Sequence, residues 1–263
     1  MKYFIIDSKN DPLKIFYNFI FIYFFINLTT SISLTLSIFS VYQGLISIFI
    51  IYIFGFYLIF KNKIYKNYKY FFLIIILFSV LFWVFAFYPA LNTNDDFRAY
   101  LIFIEKTASE GSLSVDPLSS RRMYSLGGLY PFQGSLSNFD LKFLSFIEPA
   151  LGIFLTSIAI FFFNKDTYLK LLCMVILFLS PLLGSKVLAN TGGVFTLVFL
   201  SYTIISIYSL SIKNDENLGN FYLIIVVLCL VLSLTIKPIP LIFNSLIILF
   251  LLINFYKYKK NSV

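Results

Sequence analysis

Charge-free runs of Phe, Ile, Leu and Tyr, separated by short clusters that carry lysine, set the pattern of this chain. The runs cover 15–60, 70–94, 149–164, 171–185, 187–212, 217–236 and 238–256. A helix needs about 20 apolar residues to cross a bilayer, so the runs predict membrane spans. The first is long enough for two helices, with a turn expected in the Ser- and Gly-containing stretch Ser37–Gly44, which makes about eight spans. The runs at 171–185 and 238–256 are short and are expected to borrow flanking residues. Asp11-Pro12 predicts the first helix start, with Asp as N-cap and Pro at the first helical position. No signal-peptide cleavage pattern precedes it, so this first span is expected to be retained. One polar stretch, 91–148, interrupts the pattern. The expected protein is therefore an all-α polytopic membrane protein in three parts: spans 1–3 within 1–90, a long loop at 91–148, and spans 4–8 within 149–263.

Composition agrees with the pattern. With 60% hydrophobic residues, 12% charged residues and 34 Phe, the chain cannot clothe a soluble domain in charge. Lysine placement then predicts orientation, because positive charge near span ends stays in the cytoplasm. A cytoplasmic N-terminus puts 13 of the 20 basic residues inside, among them Lys2, Lys9, Lys14, Lys61, Lys63, Lys66, Lys69, Lys165 and Lys170. The loop 91–148 then lies outside. The net charge of +8 is mostly this lysine excess and suits membrane lipids with anionic headgroups, and no nucleic-acid motif accompanies it. Cys173 and Cys229 fall inside apolar runs and are expected to be small buried hydrophobes. Histidine is absent, which removes the commonest metal ligand and the usual Ser-His or Cys-His nucleophile.

The long loop gathers the polar chemistry: all three arginines and seven of the twelve acidic residues. Asp95-Asp96 opens the stretch DDFRAYLIFIEKTASEG, in which Phe97, Leu101, Ile104 and Ala108 recur at helical spacing and Gly111 ends the run. This predicts an amphipathic helix on the membrane surface with a carboxylate pair at its start. Neighbouring residues on a helix diverge by about 100°, so one carboxylate faces a pocket while the other caps or orients. Farther on, Ser119-Ser120-Arg121-Arg122 precedes Leu126-Gly127-Gly128 and Tyr130-Pro131. The forked guanidinium suits a phosphate, and a Gly-Gly step lets backbone N–H groups approach an anion. The plainer readings are a headgroup anchor for the Arg pair and a simple turn for Gly127-Gly128. Glu148 stands at the expected entry to the fourth span and reads either as a helix cap or as a functional acid at membrane depth. Lys237, at the expected hairpin between the last two spans, fits snorkelling as well as phosphate binding.

Asp95-Asp96, the Gly111-Ser112-Leu113 step, the Arg pair and Leu126-Gly127-Gly128 together resemble the GT-C superfamily of integral-membrane glycosyltransferases. These enzymes carry an acidic motif in the first large extracytoplasmic loop, followed by surface helices. The likeness to bacterial membrane proteins of this kind covers about 40 residues and is one of hydropathy elsewhere. It implies a bacterial inner (plasma) membrane location and a polyprenyl-linked sugar donor. It also implies an extracytoplasmic glycan, lipid or protein as acceptor. By the same resemblance Asp96, four residues before Tyr100 on one helical face, would be the general base, and Asp95 would orient or contact a metal. Two carboxylates without histidine suit a hard cation such as Mg²⁺ or Mn²⁺, which some members use. Arg121, Arg122 and Arg98 would stabilise the departing phosphate. The alternatives are a transporter or flippase of lipid-linked saccharides, which would bind the same groups without breaking a bond, and a non-catalytic membrane protein.

Overall fold

The computed structural model describes residues 12–61, 101–112, 130–136, 141–163, 167–184, 194–211 and 219–236, with a few positions between 245 and 253. Within these, eight helices have defined bounds: α1 (Pro12–Thr35), α2 (Val41–Lys61), α3 (Leu101–Glu110), α4 (Tyr130–Leu136), α5 (Leu141–Phe163), α6 (Thr167–Gly184), α7 (Val194–Ser211) and α8 (Gly219–Ile236). No strand occurs among the described residues. Two of the helices, over Phe16–Thr35 and Val41–Lys61, are long and apolar enough to cross a membrane. Shorter apolar stretches lie in α5, α6, α7 and α8. The span expected at 70–94 lies outside the described residues, as does most of that at 238–256.

The first run folds as a hairpin, as its length predicts. Pro12 is the first helical residue, a position where its missing N–H costs nothing. The end of α1 is rich in Ser and Thr, and these close on their own helix: Thr29, Thr30, Ser33 and Thr35 each donate to a carbonyl three or four residues back. The helix terminates in a Schellman arrangement. Ile38 N–H donates to Ser33 O at 2.9 Å and Ser37 N–H to Leu34 O at 3.2 Å, with Ser37 left-handed at φ 57°. Ser40 then caps α2 through its hydroxyl, which accepts from Gln43 N–H at 3.2 Å. The Gln43 side chain reaches back to Ser33 Oγ at 2.8 Å and fastens the start of α2 to the end of α1.

The core joins α1, α2, α5, α7 and α8 through Phe16, Phe19, Tyr23, Ile51, Phe154, Phe199 and Cys229. Glycines allow the closest crossings. Gly55 of α2 lies under the Phe154 ring of α5, which is also flanked by Tyr52 at 4.9 Å and Phe56 at 5.3 Å. Gly152 of α5 rests directly on the backbone of Phe195 and Thr196 in α7. Phe163 meets Tyr202 at 6.4 Å farther along the same two helices, so α5 and α7 run parallel. Small residues that let backbones meet are the usual device where lipid removes the hydrophobic drive between helices.

Helix α5 corrects one expectation. It begins at Leu141, eight residues before the span predicted at 149–164, and runs through Glu148 and Pro149 without a break. Glu148 therefore occupies the third turn of a helix and not its N-terminus, which overturns the capping reading. Helix α6 begins at Thr167 and takes in the flanking residues that the short run 171–185 lacked. Cys229 is fully buried as expected, whereas Cys173 is only half-buried, and both thiols are free.

Candidate functional site

The described part of the long loop is a platform of two short helices set against the first hairpin. Helix α3 ends where the sequence predicts, at Gly111, whose φ of 65° is the left-handed conformation of a helix-ending glycine. The helix is two-sided. Ile104 and Thr107 are buried, while Glu105, Ser109 and Glu110 are exposed. Its buried side faces protein, not a bare lipid surface: Gly134 of α4 lies against the Ile104 carbonyl and the Thr107 methyl. The end of α3 is fixed to the hairpin turn by a backbone bond from Phe39 N–H to Gly111 O at 3.2 Å. Helix α4 holds Pro131 in its first turn, where proline is tolerated, and sends the fully buried Phe132 into the bundle core.

Among the predicted site residues, Asp95, Asp96, Arg98, Arg121, Arg122, Gly127, Gly128 and Lys237 lie outside the described residues. Glu148 is placed by its backbone, within α5. In sequence, Arg98 stands three residues ahead of α3 and Gly128 two ahead of α4. The two segments that carry the acidic pair and the Arg and Gly pairs therefore lead into two helices that pack on each other. Among the described residues no group of three or more His, Cys, Asp or Glu is placed to hold a metal ion.

Two features of the platform escaped the sequence reading. Helix α4 is one, since Tyr130-Pro131 after a Gly-Gly step reads as a turn. The other is the tie of Gln43 to Ser33; a lone Gln three residues after a Ser is a capping-box spacing that could have signalled the start of α2. The bundle interior also contains polar groups, all uncharged among the described residues. Thr156, Ser157, Thr203 and Ser233 each donate to a carbonyl of their own helix at 2.7–2.8 Å, so these hydroxyls are satisfied locally. Comparison of the chain with protein-family models, curated proteins and solved structures finds no match.

Proposed function

We propose that this chain is a polytopic integral-membrane glycosyltransferase of GT-C type, which moves a sugar from a polyprenyl-linked donor to a glycan, lipid or protein acceptor. The membrane part of the reading is supported by the outward surface of α2. Tyr42, Ile46, Phe49, Ile53, Phe56 and Phe60 are all exposed along one helix, while Ile51, Leu58 and Ile59 are buried. A row of this length would be a large exposed patch in water and is ordinary in lipid. The 21 residues of α2 rise about 31 Å at 1.5 Å each, close to the thickness of a hydrocarbon core. On this reading the chain makes about eight spans, with its N-terminus and lysine clusters cytoplasmic and the α3–α4 platform outside.

The catalytic part is carried by one observation: Asp95-Asp96 stands just ahead of α3, and α3 is fastened at its far end to the hairpin turn. A carboxylate that must take a proton from an acceptor hydroxyl needs such a fixed base. In the reaction, the acceptor oxygen bonds to the anomeric carbon and the bond from that carbon to the donor phosphate breaks. The lipid phosphate leaves with the electron pair, and the hydroxyl proton passes to Asp96. Arg121, Arg122 and Arg98 hold the phosphate as its charge grows. Glu148 and Lys237 are secondary candidates for substrate contact. The oxygen donors of Asp95 and Asp96 are of the kind a hard cation takes; these two residues would hold Mg²⁺ or Mn²⁺, which neutralises phosphate charge when bound. The hydroxyls of Thr156, Ser157, Thr203 and Ser233, each bonded to its own helix, favour this reading over a transporter, whose path needs polar groups left to substrate.

The test is to supply vesicles containing the purified protein with a labelled polyprenyl-phosphate sugar and a crude envelope extract. Label is expected in an acceptor fraction. Label that crosses the bilayer on intact donor, with none transferred, would instead assign the protein to lipid-linked saccharide transport.

A further inference from the structure

Two lysines of the described bundle each sit over an aromatic ring at the same end of the structure. Lys61, the last residue of α2, places Nζ 5.4 Å from the Tyr57 ring centroid. Lys170, in the first turn of α6, places Nζ 5.9 Å from the ring of Phe161, in the last turn of α5. That these ends coincide follows from packing. Helices α1 and α2 form a hairpin, so Lys61 ends α2 beside the start of α1, where Phe16 meets the Phe162 and Phe163 rings at the end of α5. At the same end Phe16, near the start of α1, stacks on Phe162 at 5.1 Å and meets Phe163 edge-on at 5.2 Å.

The chemistry of this end is mainly basic: in the sequence that borders these helix ends, 1–14, 61–69 and 164–170, nine lysines stand against three acids, Asp7, Asp11 and Asp166. Helices α1, α2 and α6 themselves contain no acidic residue, and Glu148, the only one in α5, lies thirteen residues before Phe161. The surroundings of the two ammonium groups are amphipathic and outward-facing: Tyr168 is 83% exposed, Phe60 is 55% exposed, and Lys61 is itself exposed. Aromatic rings with an ammonium held against them are the composition of a membrane interface, where rings sit at headgroup depth and the cation reaches the phosphates. A ring under the ammonium also restricts the lysine stem, so less freedom is lost when an anion binds.

We infer that the end of the bundle bearing Lys61 and Lys170 is a docking surface for the phosphates of anionic phospholipid headgroups. This rests on the membrane-spanning reading and is independent of glycosyl transfer. Each lysine is expected to favour an anionic over a zwitterionic lipid by about fivefold, the equivalent of ~1 kcal/mol per basic residue near a charged surface.

The experiment compares spin-labelled phosphatidylglycerol and phosphatidylcholine at the boundary of the full-length protein in phosphatidylcholine vesicles. The parent should select phosphatidylglycerol. Lys61→Gln and Lys170→Gln should each lose about fivefold of that preference, and the double variant should lose both, while Lys→Arg at each position keeps it. Circular dichroism of every variant confirms that helix content is unchanged. Inorganic phosphate and chloride at equal ionic strength should weaken the preference alike; stronger competition by phosphate would show a soluble-anion site and overturn the lipid assignment. Equal association of both lipids with the parent, or full preference in the double glutamine variant, also overturns it. A protein that stays in the aqueous phase and yields no boundary signal at all refutes the membrane reading instead.

Discussion

Phe39 donates its backbone N–H to the carbonyl of Gly111 across 3.2 Å, joining the turn of the first hairpin to the end of a helix 72 residues farther on. The contact leaves no room for a side chain: a Cβ on Gly111 would collide with Phe39 O, and φ is 65°. Gly111 therefore has two jobs that no other residue type performs at once. It ends α3 in the left-handed conformation, and it lets the turn approach closely enough for the bond to form.

Gly111→Ala is expected to destabilise the platform by about 1–3 kcal/mol, through αL strain and loss of the bond. The loss should be local, with amide exchange rising in α3 while α5 and α7 stay protected. Uniform exchange across both regions in the variant and the parent would count against the tie.

Ser37 offers the opposite change. It holds the left-handed position of the Schellman arrangement without being glycine, and its hydroxyl makes none of the capping bonds, which come from its backbone and from Ile38. Ser37→Gly should raise stability by about 1 kcal/mol, the αL cost relieved less the added unfolded-state freedom. Thermal unfolding in detergent checks this; a lower Tm would argue that the turn is not left-handed at Ser37.

The two bundle glycines should differ in cost. At Gly55 an added methyl meets the Phe154 ring and Ile158 Cδ1, which are side-chain atoms that can shift. At Gly152 it meets the backbone of Phe195 and Thr196, which can yield only if α5 and α7 separate. Gly152→Ala is thus expected to cost at least about 2 kcal/mol and Gly55→Ala about 1 kcal/mol, within the overpacking range. Denaturation of both variants in the same detergent gives the order, and equal losses would place the helix crossing elsewhere.

How much of this was legible in the sequence varied with the kind of signal. The hairpin turn was legible because Ser37–Gly44 breaks an apolar run too long for one helix, and the end of α3 because Gly111 follows a periodic segment. The start of α5 was not. Hydropathy places an edge at Glu148-Pro149, where the apolar run begins, whereas the helix begins at Leu141 because a charge such as Lys142 or Glu148 does not interrupt backbone hydrogen bonding. The burial of α3 against α4 was illegible for another reason: an amphipathic stretch looks the same whether lipid or protein covers its apolar side. Of the candidate site, the sequence supplied the residue types and the structure supplies the platform from which their segments leave.

The tie between turn and loop also makes a prediction about sidedness. With Cys173 and Cys229 replaced by Ala, single cysteines at Ser40 and Glu110 should react with a membrane-impermeant maleimide from the same side of intact cells, since both are exposed and flank the Phe39–Gly111 bond. The topology proposed from lysine placement has that side outside, and on that proposal Asn62→Cys, next to Lys61, should react only after permeabilisation. Labelling of Ser40→Cys and Glu110→Cys from opposite sides would break the platform, whereas labelling of both only after permeabilisation would invert the topology and leave the platform intact.

Asp96→Asn separates chemistry from scaffolding, because it keeps size and polarity and removes the base. If Asp96 takes the acceptor proton, transfer should fall by about 10²–10⁴-fold, with the loss in kcat and little change in donor KM. Asp95→Asn should act differently, since a residue that orients or holds a cation loses activity that added Mg²⁺ or Mn²⁺ partly restores. Gly111→Ala supplies the comparison that makes the assignment sharp. It leaves both carboxylates in place and loosens only their support, so its activity should recover at lower temperature or with stabilising lipid, whereas that of Asp96→Asn should not. Full turnover by both Asn variants would remove the acidic pair from the reaction and return the loop to a structural role.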